Sequence, residues 1–204
     1  MADCVLTLNA GSSSVKYALF ALAAGRVVVA HLGHGASMCG MAGGRSVATS
    51  MSFSPLDGLT KGTRCGRIDA AVVLHLMQHH GLDADAVADL LHRQSGLLGL
   101  SGLSADMRTL MASDSPAAAL AIDHFVEAAV RELAGMAAAL RGIDALVFTG
   151  GIGENAVPLR ERIVDAAGLM GLQLDAPPMP ALRAASTLRA ARFKCACCAP
   201  TKKQ

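Results

Sequence analysis

The chain predicts an α/β fold with a mixed sheet flanked by helices, and three observations carry the prediction. Short apolar runs at residues 4–8 and 27–30 have strand length and end at glycine-rich turns. From residue 69 on, Asp and Ser-Pro start signals and Gly stops punctuate long Ala- and Leu-rich segments of helical character. A further strand-like run, residues 144–149, stands between two of those segments. Strands first, then helices with an intervening strand, is the order of a mixed sheet rather than a helical bundle.

Each element has its own local reason. Residues 4–8 (Cys-Val-Leu-Thr-Leu) read as a buried strand, and Val15, Tyr17 and Leu19 alternate with Lys16, Ala18 and Phe20 in a second. Together they make a hairpin, which is expected to join a larger sheet because an isolated hairpin is marginal in water. Gly25 and Arg26 mark a turn, and Val27, Val28, Val29 and Ala30 form another buried strand. Residues 38–53 read as short strands with a hairpin turn at Gly43 and Gly44, and residues 55–66 as a loop. Asp69 caps a helix over residues 70–80 that Gly81 stops, and Asp83 caps one over residues 84–94. Residues 96–103 read as a Gly- and Leu-rich loop. Ser115 before Pro116 opens a helix to about residue 140, ending at Gly142. Residues 144–149 are a strand, residues 150–155 a tight loop, and a helix follows to about residue 167. Pro177, Pro178 and Pro180 break any regular element, so the Cys- and Lys-rich tail is expected to be irregular. The expected division is a phosphate-loop hairpin over residues 1–26, a main lobe over 27–176 and a tail over 177–204.

Composition narrows the function. The 204 residues are 52% hydrophobic and 17% charged, with a net charge of +2, which suits a globular chain. Mean hydropathy is positive at +0.43, but no apolar run approaches the ~20 residues of a bilayer span, and no signal-peptide pattern opens the chain. No membrane association and a cytoplasmic location are the expectations. A near-neutral balance without Trp offers no electrostatic or stacking footprint for nucleic acid. Cys4, Cys39 and Cys65 read as small buried hydrophobes, and Cys195, Cys197 and Cys198 lack the paired spacing of a zinc site.

Chemistry concentrates in the glycine loops. A bound phosphate needs several backbone N–H groups aimed at one point, and glycine lets the backbone curl and approach closely. In residues 9–16 (Asn-Ala-Gly-Ser-Ser-Ser-Val-Lys), Ser12 and Ser14 add hydroxyl donors, Lys16 a cation, and Asn9 a carbonyl oxygen suited to a metal-bound water. The plain alternative is a Ser-rich hairpin turn, and no Walker A pattern occurs. His31, Leu32, Gly33, His34 and Gly35 repeat the same logic at the next strand end. Arg64 could stabilise charge on a transferred phosphoryl group, or simply be solvated. Gly151, Gly153 and Ala156 also fit a dinucleotide fingerprint, with Asp175 as a ribose-binding acid. His75 and His79 lie one helical turn apart, where a half-buried helix face is the simpler reading than a metal site.

Residues 9–16, 31–37, 49–69, 95–108 and 148–155, taken as a set, resemble the acetate kinase family, within the larger group of sugar kinases and actin-like ATPases. The resemblance implies a ribonuclease H-like lobe, a homodimer, and transfer of the ATP γ-phosphoryl group to acetate or another short carboxylate. By it, Asn9 would help hold Mg2+ and Lys16, Ser12 and Ser14 would lie at the ATP. His31, Leu32, Gly33, His34 and Gly35 would cradle phosphates. Asp106, Met107 and Arg108, with Gly151, Ile152, Gly153, Glu154 and Asn155, would enclose the adenosine. Arg64 would stabilise the transition state.

The chain also departs from the family pattern. It is about half the usual length, the shortfall falls near residues 22–27, and residues 1–26 read as a remnant of the first lobe. No counterparts exist for the acetate-binding arginine, the catalytic aspartate or the acyl-site histidines. Lys202 stands after Pro200-Thr201 where the family has a magnesium-binding glutamate, and Lys61 stands where an apolar residue is usual. The shortened chain is therefore expected to be impaired in transfer. A non-catalytic ATP/ADP-binding module, an inactive fragment and an NAD-dependent oxidoreductase built on the Gly151 loop are the alternatives.

Overall fold

A computed structural model describes residues 4–11, 14–21, 25–172, 187–189 and 194–197. Strands β1 (Cys4–Gly11) and β2 (Ser14–Ala21) pair antiparallel. They form a two-stranded sheet of their own instead of extending a larger one, because neither strand has another described strand along its free edge.

The main sheet grows from β3 (Arg26–Leu32), β4 (Ala36–Ala42) and β5 (Arg45–Thr49), an antiparallel run whose second turn uses Gly43 and Gly44 at positive φ. Ala36, Met38 and Gly40 face inward while their neighbours do not, the period of a strand with one covered face. The helices then follow in chain order: α1 (Ala70–His79), α2 (Ala84–Arg93), α3 (Gly96–Ser101), α4 (Met107–Met111) and α5 (Pro116–Leu140). Strand β6 (Ala145–Thr149) leads into α6 (Gly150–Asn155) and α7 (Val157–Ala166). Strands β7 (Thr187–Arg189) and β8 (Lys194–Cys197) complete a sheet of order β5-β4-β3-β6-β8-β7. Pairing is parallel for β3/β6 and β6/β8 and antiparallel elsewhere, so the expected mixed sheet is present.

The core forms where α5 crosses this sheet. Ala118, Ala121, Ile122, Phe125, Ala129, Leu133 and Met136 recur at helical spacing and pack with Val28, Ala30, Leu32, Leu146 and Phe148. Gly40 permits close approach: a Cβ there would lie 3.3 Å from a Leu140 methyl carbon. Asp69 and Asp83 cap α1 and α2 through side-chain bonds of 2.8 Å, as their sequence signals predict. No described helix is long and apolar enough to cross a membrane.

Further expectations change. Residues 96–101 form a helix, not a loop, because the Lys61 and Gly62 carbonyls, from the turn before α1, accept the Leu97 and Leu98 N–H groups of its first turn, so tertiary contacts override glycine's poor propensity. Residues 150–155 are likewise helical, capped by the Glu154 carboxylate on the Gly150 N–H. The tail expected to be irregular contributes two short strands, β8 lying on the otherwise open edge of β6, where ladder pairing satisfies backbone groups. Finally, α1 buries no residue, and His75 and His79 are exposed with ring centroids 4.8 Å apart. Cys39 and Cys65 are half-buried, less enclosed than a core reading predicts.

Candidate functional site

The site is built where β3 and β6 end side by side. Parallel pairing places Thr149 opposite His31, and Thr149 Oγ1 lies 3.1 Å from His31 Nδ1. Beyond Leu32 the chain turns through Gly33, His34 and Gly35, with the Gly33 N–H donating to the Gly35 carbonyl at 2.9 Å. Helix α6 begins at once against this turn. Gly150 has φ 83°, and a Cβ on it would lie 2.6 Å from the Leu32 carbonyl oxygen. Glycine alone lets α6 seat on the end of β3.

Two side chains of α6 hold their own helix. The Glu154 carboxylate accepts from the Gly150 N–H at 3.1 Å, and Asn155 Nδ2 donates to the Gly151 carbonyl at 2.8 Å. The opposite wall is the start of α4. Asp106 caps it by accepting from the Arg108 N–H at 2.8 Å, and the Arg108 guanidinium closes onto the same carboxylate at 2.8 Å. That side-chain bond, with the backbone bond behind it, holds the Asp106 carboxyl below the usual carboxylate range.

Behind His34 stands a buttress. The Gly62 N–H donates to the His34 carbonyl at 3.0 Å, and a Cβ on Gly62 would sit 2.6 Å from His34 Nδ1. The turn containing Gly62 is in turn fastened to α3. Lys61 and Gly62 carbonyls accept from Leu97 and Leu98, each at 2.9 Å, and the Thr63 carbonyl from Ser95 at 3.0 Å. Lys61 itself is buried, and its ammonium donates to the carbonyls of Asp57 at 2.8 Å, Leu59 at 2.7 Å and Leu56 at 3.4 Å. Burial first, then the neighbouring Arg64 charge, lower the Lys61 pKa to about 8.

These walls enclose a cavity of about 880 Å³. Of the residues singled out from sequence, Gly33, His34, Asp106, Met107, Arg108, Gly151, Ile152 and Asn155 line it. His31, Leu32, Gly35, Gly153 and Glu154 flank it. Arg64 lies two residues beyond Gly62, half-buried and outside the lining. Asn9, Ser14 and Lys16 lie on β1 and β2, where Asn9 and Lys16 stand opposite each other. Ser12 and Asp175 lie outside the described residues. The dinucleotide fingerprint calls for one helix running on from its glycines, but the chain leaves helical geometry at Ala156, with φ −89° and ψ 76°.

Sequence reading missed Ala105, Met111, Ala112 and Pro158, which line the cavity together with Ala156. They carry no chemistry of their own, and only their adjacency to the marked motifs could have flagged them. Among the described residues, no three His, Cys, Asp or Glu side chains come together as a metal cage.

Comparisons with known proteins show the family of the chain. The model of the acetokinase family matches residues 22–188. The acetate kinase of Rhodopseudomonas palustris strain CGA009 is 54% identical over 170 residues, covering 83% of this chain and 43% of its own length. That of Methylocella silvestris is 58% identical over 153 residues, covering 75% and 38%. Among solved structures, the Porphyromonas gingivalis acetate kinase superposes with a TM-score of 0.78 at 31% identity, over 85% of this chain and 45% of that one. A propionate kinase from Francisella tularensis gives 0.76 at 33% identity, over 86% and 46%. The chain thus spans less than half the length of the relatives it matches.

Proposed function

Because this chain belongs to the acetokinase family, we propose that it supplies the nucleotide-binding half of an acetate-kinase-type phosphotransferase. The supporting observation is convergence: three stretches far apart in sequence, at residues 33–34, 105–108 and 151–156, meet around one cavity. About 880 Å³ falls within the range of small-molecule sites. ADP or ATP is the ligand. Adenosine lies between the α4 start and α6, and the His31-to-Gly35 turn offers backbone N–H groups toward the phosphates. Magnesium would supply charge neutralisation when bound, and by resemblance Asn9 would help hold it.

In this reading catalysis is positioning and electrostatics. Arg64 stabilises negative charge as the phosphoryl group moves toward acetate or propionate. The Lys61-to-Arg64 turn, tied to His34 and to α3, fixes where that charge stands relative to the nucleotide turn. Residues 27–176 act as the nucleotide lobe, in the cytoplasm and as a homodimer. The acyl-binding groups expected of the first lobe have no counterpart in the chain, so nucleotide binding outlasts efficient transfer.

Calorimetric titration with ADP, with and without magnesium, tests the binding half. Absence of heat at millimolar ADP would overturn the proposal. Acetyl phosphate formation from ATP and acetate tests the transfer half. Turnover equal to that of a full-length relative would show that this chain lacks nothing the reaction needs.

A further inference from the structure

The corner between α6 and α7 is held by one buried cation outside the cavity. Arg160 is 7% exposed, and its Nη1 donates to the Gly153 carbonyl at 2.9 Å and to the Glu154 carbonyl at 3.0 Å. Both acceptors belong to the last turn of α6, where helix carbonyls turn to groups outside the helix. Helix α6 has only six residues and contains three glycines, so its own ladder contributes little. Its entry end is closed by Glu154 on Gly150, and its exit end by Arg160. The residues between these ties, Gly151, Ile152 and Asn155, are cavity lining, as are Ala156 and Pro158 at the corner itself.

No carboxylate is paired with this guanidinium among the described ion pairs. Its burial is compensated by backbone oxygens of the helix it holds. A buried charge with that arrangement is costly unless its hydrogen bonds are made, so the guanidinium favours the one corner geometry that makes them. We infer that Arg160 is a positioning residue for the nucleotide cavity, fixing α6 so that its lining residues meet the ligand. This rests on the nucleotide-binding reading above. Arg160 touches neither the cavity nor the ligand and acts through the backbone of α6.

The experiment uses the full chain with Arg160→Leu and Arg160→Lys, read by ADP calorimetry and by amide hydrogen exchange well below the unfolding midpoint. Arg160→Leu removes both charged hydrogen bonds to the α6 backbone and is expected to weaken ADP binding about tenfold, consistent with the cost of losing them. Exchange should rise at residues 150–156 while α5 stays protected. Arg160→Lys, which keeps a cationic donor, should recover part of both effects, and it stands alone if the leucine variant does not fold. Unchanged affinity together with unchanged exchange at residues 150–156 would overturn the inference. If the unsubstituted chain binds no ADP, the nucleotide reading fails, and the exchange experiment still decides whether Arg160 holds α6.

Discussion

Two glycine loops in this chain join two antiparallel strand pairs, yet they are built to different depths. The loop after β1 closes a sheet that, among the described residues, has two strands. The loop after β3 stands on a six-stranded sheet, because β3 pairs with β4 on one side and with β6 on the other. That second neighbour makes the difference. It brings Thr149 to His31, delivers α6 against Leu32, and leaves room for Gly62 to support His34 from behind. A glycine-rich turn supplies backbone freedom, but a site requires neighbours that use that freedom. The family match begins at residue 22, beyond the first of these hairpins.

The largest expected effect comes from forcing the two ends of β3 and α6 apart. In Gly150→Ala a Cβ must enter space 2.6 Å from the Leu32 carbonyl, at a φ of 83° that side chains rarely adopt. Backbone strain of this kind costs on the order of 2–4 kcal/mol. Urea unfolding should record that loss, and ADP titration should show binding abolished or reduced more than tenfold. Wild-type stability and affinity in this variant would mean that the tight β3–α6 junction is not what separates the two loops.

Much of this second region was legible in the residues. Asp69, Asp83 and Ser115-Pro116 mark helix starts that the fold keeps, and the motifs at residues 33–34, 106–108 and 151–155 meet as a set. What stayed hidden depends on contacts between distant segments. The helicity of residues 96–101 comes from the carbonyls of residues 61–63, some 35 residues upstream, and no local pattern announces it. The helicity of residues 150–155 rests on one carboxylate reaching back to Gly150. Arg160 reads as an ordinary polar residue on a helix until its two carbonyl partners are seen. The tail strand β8 carries no clear alternation, and only the open edge of β6 explains its pairing.

A somewhat smaller effect sharpens the comparison at the buttress behind His34. Lys61 has a folded-state pKa of about 8 against an ordinary 10.5, so between those values the unfolded chain binds more protons than the folded one. Stability therefore rises with pH across that window, as the penalty of a buried ammonium is relieved. The full span corresponds to about 3 kcal/mol at most. Lys61→Met removes the group, so wild type should gain on the variant steadily from pH 8 to 10.5 in urea titrations. Below pH 8 their difference should be flat. A difference that stays constant through the whole range would show that the ammonium is not held in the carbonyl cage.

The smallest expected effect probes the far end of the β3–β6 pair. Arg26 and Asp144 join the starts of the two strands, with Arg26 N, Nε and Nη2 all donating to the one carboxylate at 2.7, 3.0 and 2.7 Å. The Arg26 side-chain bond is the main reason that the Asp144 carboxyl lies below its usual range. A depressed carboxyl stabilises the fold above its unfolded value of 3.8 and loses that contribution as pH falls through the folded value. The side chains are 38% and 39% exposed, so salt and water screen most of the attraction. Asp144→Asn should accordingly lower the unfolding midpoint slightly at pH 7, and less at high salt. The gap between variant and wild type should close below pH 4. ADP affinity should stay unchanged, because the pair lies at the opposite end of both strands from the cavity. A loss of affinity as large as that of Gly150→Ala would mean that the two ends of the strand pair are coupled, and that the cavity depends on the whole β3–β6 ladder instead of its C-terminal edge.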